Sequence, residues 1–387
     1  MPYLDTFLKA LKTRPLEWSI ENLISGLKRR QIRTTMSCVI ATAELLIVVI
    51  ARSKMRSAEE LLIEIQEVGQ RLIEAKEMVV GNIVRRFLRM IRDEADEDRN
   101  DDVRDSNFAA SYAVTKGTPL QNSLFDLFSA SNPPQPTDTG RSSPQDQSNI
   151  NADAEALQAE AVDAGQEILD EVKQSESNIA GYAPEHILPN ETILTHCHNR
   201  IVQRFLLKAA EKSKFSVIVI ESHPNELNGS DDVDAAAFLK SLADAGLTVI
   251  STTDGGSWAM MPKVDRVVLA ARAVGSNGGC LVSVGGPSVA GVAKFHGKPV
   301  IVLCGVHMIS SADQIELESM IEHGSPESIV GNTGGLPPNH DVETILQQYL
   351  PPHRINLYIT NLGGYAPSYL YRLVSDQYSS KDSNPRL

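Results

Sequence analysis

From Leu4 to Ile91 apolar residues return at helical spacing, with no alternating strand pattern longer than a few residues, and this predicts a helical domain over 1–130. Within it the run Leu61, Leu62, Ile65, Val68, Leu72 is opened by Ser57 with Glu60 three positions later, the spacing of a capping box. Val80, Ile83, Val84, Phe87, Leu88 and Ile91 repeat the stripe, while Arg85, Arg86, Arg89 and Arg92 take the other side of that helix. The periodicity fails from Ser131 to Asn151, where Pro, Ser, Gln, Asn and Asp surround a single aliphatic residue, Ile150. Too little apolar surface is present to offset the entropy of ordering, so 131–152 is expected to be a disordered linker or insertion. Helical spacing resumes between Ala154 and Glu176 through Leu157, Ala161, Val162, Ala164, Ile168, Leu169 and Val172, which gives a helical connector over 153–190.

From Glu191 the texture changes to short apolar runs separated by helical segments: ILTH at Ile193, VIVI at Val217, LTVI at Leu247, VVLAA at Val267 and VIVLC at Val300. A late strand follows at Ile355 to Thr360, then a closing helix at Ala366 to Tyr378. Strands apolar on both faces and alternating with helices predict a parallel sheet covered on both sides. The expected fold is therefore α/β: an N-terminal helical domain followed by a Rossmann-like, mostly parallel sheet over 191–387.

Charge narrows the partners. A net charge of −13 disfavours a nonspecific grip on nucleic acid or anionic membrane, because both need clustered Lys and Arg. Met36 to Ala51 has the length and hydropathy of a membrane span, but Glu44 lies near its centre and Arg33 and Arg52 bracket it, so a buried core helix is expected. MPYLDTFLKALKTRP has no basic region followed by an apolar core and does not read as a signal peptide. Cys38, Cys197, Cys280 and Cys304 form no CxxC pair and read as reduced thiols of a cytosolic protein.

Candidate chemistry lies in the turns after strands. A parallel sheet binds small ligands at the carboxyl ends of its strands, and three turns here are placed for that: Thr195 to Asn199, Gly285 to Ser288 with Ser288 as a helix cap, and Gly275, Gly278 and Gly279. No GxGxxG follows a strand and no GxxxxGK[ST] occurs, so no cofactor is expected. His196, Cys197 and His198 are consecutive and face alternate sides of an extended segment, which disfavours a shared metal. The acidic run Asp93 to Asp105 reads as a solvated loop, because a calcium loop counted from Asp96 would have Asp101 where it needs Gly and Asn107 where it needs Glu. Arg85, Arg86 and Arg89 admit two readings, a docking face for a phosphorylated partner or a solvated helix face.

The segments ILTHCHNR and VDRVVLAARAVGSNGG resemble the sugar-phosphate isomerase superfamily. In its enzymes a cysteine in a T-x-C turn and an aspartate in a G-A-D-R-I segment interconvert aldose and ketose. Cys197 matches the cysteine, whereas Arg272 stands at the acid position and Ala270 at the preceding glycine. The superfamily also holds the alpha, beta and delta subunits of eukaryotic translation initiation factor 2B. LIEIQEVGQRLIEA from Leu62, VGNIVRRFLRMIRDE from Val80 and above all LYITNLGGYAPSYLYRL from Leu357 are similar to the beta branch of that family, whose tail reads F-I-S-N-I-G-G-N-A-P-S-Y-I-Y-R-L.

The resemblance implies a non-catalytic regulatory subunit with no catalytic residue of its own, in a complex with alpha, gamma, delta and epsilon subunits that exchanges GDP for GTP on initiation factor 2. It also implies inhibition by the phosphorylated alpha subunit of initiation factor 2. Pairing with delta through the α/β domain is expected, with no direct nucleic acid or membrane contact. Interface residues implied are Asn190, Asn361, Gly363, Gly364, Tyr365, Pro367, Tyr369, Tyr371 and Arg372. The alternative is a sugar-phosphate isomerase-like enzyme or metabolite sensor.

Overall fold

Thr34 accepts the Ser37 N–H at 3.1 Å and Ser57 accepts the Glu60 N–H at 3.3 Å, and these caps open the two central helices of the N-terminal lobe. The computed structural model describes residues 2–32, 34–53, 57–76, 79–95, 144–221, 233–324 and 341–379, with backbone alone for 2–3 and 144–155. The lobe contains α1 (Pro2–Thr13), α2 (Leu16–Lys28), α3 (Thr35–Arg52), α4 (Ala58–Ala75), α5 (79–95) and α6 (Pro144–Gly181). Among the described residues α3 is the one helix long and apolar enough to cross a membrane. It lies against α1, α2, α4 and α6 with Leu45, Leu46, Val49 and Ile50 fully buried, as a core helix does. Burial of each such side chain stabilises by about 1.5–3 kcal/mol. Glu44 reaches Lys173 Nζ on α6 at 3.5 Å, and Gln158 of α6 donates to the Ile50 carbonyl at 2.6 Å near the carboxyl end of α3.

Helix α6 is longer than its apolar stripe suggests. It begins at Pro144, inside the segment read as a linker, and runs past Glu176 to Gly181. Proline suits a first helical turn because its missing N–H has no partner to lose there. Residues 131–143 and most of the acidic run, from residue 96 onward, lie outside the described residues.

The second lobe is built on β1 (Thr192–His196), β2 (Ser216–Glu221), β3 (Thr248–Thr253), β4 (Arg266–Val274), β5 (Cys280–Ser283), β6 (Val300–Leu303), β7 (Gln347–Leu350), β8 (Leu357–Thr360) and β9 (Gly363–Tyr365). Its helices are α7 (Ala183–His186), α8 (Arg200–Ala210), α9 (Ala235–Asp244), α10 (Ser257–Met260), α11 (Gly286–Phe295), α12 (Gln314–Ser319) and α13 (Leu370–Gln377). Strand order is β3-β2-β1-β4-β6-β8-β9, parallel from β3 through β8, with β9 antiparallel at the edge. The all-apolar runs VIVI in β2 and VIVL in β6 are buried at every position, as strands covered on both faces must be.

Three strands escape the hydrophobic pattern: β5, β7 and β9. The second half of β4 leaves the parallel layer and pairs antiparallel with β5, which pairs in turn with β7. This small extension faces the helices, and Ala273 and Leu281, with Ala312 and Leu317, belong to the same hydrophobic core as α3 to α5. Glu176 of α6 is nearly buried between Arg200 at 3.2 Å and Arg204 at 3.0 Å, a second tie between the lobes. At the far edge Thr360 pairs with Gly363 and Ile359 with Gly364, so the bend is made by Asn361 and Leu362 and the two glycines lie in β9.

Candidate functional site

The first strand delivers three polar side chains in succession. Cys197 follows β1 with φ of 59°, its N–H bonded to the Ile220 carbonyl at 3.0 Å, and Asn199 caps α8 by accepting the Ile201 N–H at 2.8 Å. A non-glycine residue in the left-handed region costs of order 1 kcal/mol or more, and here strand pairing on one side and the helix cap on the other hold it there. His196 Nδ1 stands 3.3 Å from Cys197 Sγ, and its Nε2 stands 3.1 Å from Asp254 Oδ1. Asp254 comes from the turn after β3, two strands away in the sheet. Burial alone pushes the His196 imidazole down, but the Cys197 charge and the Asp254 hydrogen bond and charge outweigh it and hold the ring up at about 10.

Gly285, at φ of 92°, immediately precedes α11 beside this pair. A Cβ there would stand 2.8 Å from His196 Nε2, so a side chain would keep the amino end of the helix from closing over the histidine. The helix starts at Gly286, which places Ser288 inside the first turn instead of at the expected capping position. His198 turns elsewhere, edge-on to Phe238 at 5.3 Å between centroids and 3.9 Å from Glu221. Among the described residues no three His, Cys, Asp or Glu side chains are grouped to hold a metal.

Arg272 is buried on β4 beyond the last β1–β4 pair, Thr195 with Val268, and donates to Ser283 Oγ on β5 at 3.4 Å. The glycine turn after β4 is packed against protein. Gly278 has φ of 82° and a Cβ there would meet the Pro367 carbonyl oxygen at 2.5 Å, while Asn277 donates to the Tyr349 hydroxyl at 2.9 Å. The turn is thus a seat for the C-terminal tail and offers no open cradle for phosphate.

The tail residues divide into two sets. Asn361 is buried: its Oδ1 accepts the Val306 N–H at 2.9 Å and its Nδ2 donates to Glu171 Oε1 at 2.9 Å. Gly363 and Gly364 are fixed in β9, and Pro367 rests on Gly278. Tyr365, half-buried against the sheet core, stacks on the exposed Tyr369 at 5.6 Å and 6°, with the Arg372 guanidinium 5.7 Å from the Tyr369 ring. Tyr371 is 62% exposed beside them. Asn190 is exposed at φ of 64°, and its N–H is bonded to the Lys214 carbonyl at 2.8 Å.

The arginines of α5 do not form an open basic face. Arg85 is buried, Arg86 is paired with Glu171 on α6, and Arg89 pairs with Asp93 at 3.2 Å and donates to the Ser375 carbonyl at 2.6 Å. A groove of about 490 Å³ beside Arg86 and Arg89 is lined also by Asp93, Glu167, Glu171 and Asp376, which gives it mixed charge. Helical spacing placed these guanidinium groups opposite the α5 stripe, but α6 and α13 pack on that side.

Sequence reasoning found Cys197 and Arg272 and missed Asp254 and Glu171. Asp254 had one signal, an acid directly after a strand in TTDGG. Glu171 had none, since its role depends on chain that is distant in sequence.

These features define a two-lobed α/β protein with a Rossmann-like sheet, a cysteine at the end of β1 and a buried arginine on β4. The chain belongs to the initiation factor 2 subunit family, whose model matches residues 31–367. It is 32% identical over 390 residues to translation initiation factor eIF2B subunit beta of Schizosaccharomyces pombe, covering 94% of this chain and 97% of the relative. The crystal structure of eIF2B beta from Chaetomium thermophilum matches with 33% identity and a TM-score of 0.72 over 98% of this chain and 97% of that one. A chain of the tetrameric eIF2B-beta2-delta2 complex from C. thermophilum matches with 32% identity and a TM-score of 0.68, covering 97% of this chain and 99% of that one.

Proposed function

We propose that the chain is a non-catalytic regulatory subunit of the eIF2B complex, of the beta type, paired directly with a delta subunit. The observation that carries this reading is the end-to-end likeness to eIF2B beta, at 33% identity over 98% of the chain, together with the likeness to a chain of a beta2-delta2 tetramer. The outward aromatic and arginine side chains of the tail are of the types that dominate protein interfaces, and they lie beside the edge strand β9. In this reading the subunit works in the cytosol with alpha, gamma and epsilon subunits to exchange GDP for GTP on initiation factor 2, and takes part in the response to its phosphorylated alpha subunit.

The non-enzymatic part of the reading rests on Arg272. A guanidinium stays protonated at neutral pH and cannot shuttle a proton, and loss of one general acid or base commonly costs a factor of about 100 to 10,000. Native purification of the tagged chain, with identification of what accompanies it, tests the assembly. Co-purification with a delta subunit is the expected result, and recovery only as a homodimer overturns it. Measurable isomerisation of methylthioribose phosphate by the purified chain overturns the non-enzymatic part alone.

A further inference from the structure

We propose that Cys197 is a thiol-modification site that exchanges with low-molecular-weight disulfides, with His196 as its base and Asp254 orienting the ring. The geometry is that of an activated nucleophile: sulfur to imidazole 3.3 Å, imidazole to carboxylate 3.1 Å, the histidine side chain 2% exposed and so held in one orientation. Cys197 is partly exposed, whereas Cys38, Cys280 and Cys304 are buried, and burial pushes Cys280 up to about 12. Of the four thiols in the chain, one is both reachable and next to a base.

The groups facing the pair come from several elements. Asp254 follows β3, the amino end of α11 lies at Gly285, and Glu221 at the end of β2 bonds Ser251 and stands near His198. The imidazole is held above its ordinary range by Cys197 and Asp254, the two groups in contact with the ring. In the exchange Cys197 Sγ, with its proton held on His196 Nδ1, attacks one sulfur of the disulfide. The protein–sulfur bond forms as the disulfide bond breaks, and the second sulfur leaves as a thiolate that accepts a proton from the imidazolium or water. The disulfide is the oxidant and the product is a mixed disulfide at the carboxyl end of β1.

The test is reaction of the full chain, alone or in its native assembly, with the aromatic disulfide dithiobis-nitrobenzoate across the pH range. One equivalent of coloured thiolate per chain is expected at about pH 6, roughly tenfold or more faster than from a free cysteine, whose thiol ionises near 8.5. Cys197→Ser removes this phase, and Asp254→Asn slows it about tenfold at low pH while leaving the rate above about pH 9 unchanged. If Asp254→Asn does not fold, the wild-type profile with peptide mapping of the labelled cysteine decides. A rate that rises only through the ordinary thiol range, or a label on another cysteine, overturns the proposal.

Discussion

Asn361 and Glu171 meet at 2.9 Å, which fastens the hairpin between β8 and β9 to the long helix α6 of the other lobe. The same asparagine accepts the buried Val306 N–H, so Asn361→Ala orphans one backbone donor and one carboxylate oxygen. A loss of about 1–3 kcal/mol is expected, read as a lowered denaturation midpoint of the isolated chain. An unchanged midpoint, with weakened delta binding, would move Asn361 to an intermolecular role.

Gly278→Ala is predicted to destabilise by more than about 1 kcal/mol. The new Cβ sits at positive φ and lies against the Pro367 carbonyl, and backbone there yields little. Faster proteolytic removal of the tail after Pro367 is the accompanying sign. Gly297→Ala is the matched control, because its φ of 65° carries similar strain with nothing within 4 Å of the added carbon.

Tyr371→Ala is expected to leave thermal stability nearly unchanged, since the ring is 62% exposed, while weakening delta binding by about 1–3 kcal/mol. Titration of the variant against delta, beside a melting curve, separates the two effects. Unaltered affinity would leave Tyr365, Tyr369 and Arg372 as the remaining anchors.

Acid stability is predicted to depend on His307. Burial, with Arg86 nearby, lowers its imidazole from 6.5 to about 4, so between those values the unfolded chain binds a proton that the folded chain refuses. Stability contributed by the neutral ring is fully present above about 6.5 and is lost as pH falls through about 4, with a total of roughly 3 kcal/mol. His196 acts in the opposite sense, being raised to about 10: its contribution is complete below 6.5 and fades as pH rises through 10. Denaturant titrations between about pH 4.5 and 6.5 should therefore show a rising slope that His307→Leu flattens. An equal slope in that variant would assign the acid limb to other groups.

The helices were legible where a stripe met a core, as in α3 and α5, and the strands where both faces were apolar, as in β2 and β6. The overlooked strands share one cause. QQYL in β7 is half polar, CLVS in β5 is four residues long, and GGY in β9 has two glycines, so their pairing is decided by neighbours and not by local preference. At the site, the cysteine and its flanking histidines were visible as a motif because they are contiguous. The carboxylate that completes the arrangement is 58 positions away from His196, and only the parallel order of β3, β2 and β1 brings it near. The α5 arginines show the converse: a correct helical face, misjudged because the partner helices that cover it are remote in sequence.

Because Ala273 and Leu281 of the sheet extension share a hydrophobic core with α3 to α5, the two lobes should melt as one cooperative unit. Slow amide exchange in α3 and in β5 should then report the same opening event, and a fragment cut between the lobes should expose sticky apolar surface in both pieces. Such a chain has little slack at its waist. Binding energy delivered to the helices would tilt the sheet as a rigid lever, carrying β9 at its far edge along with it.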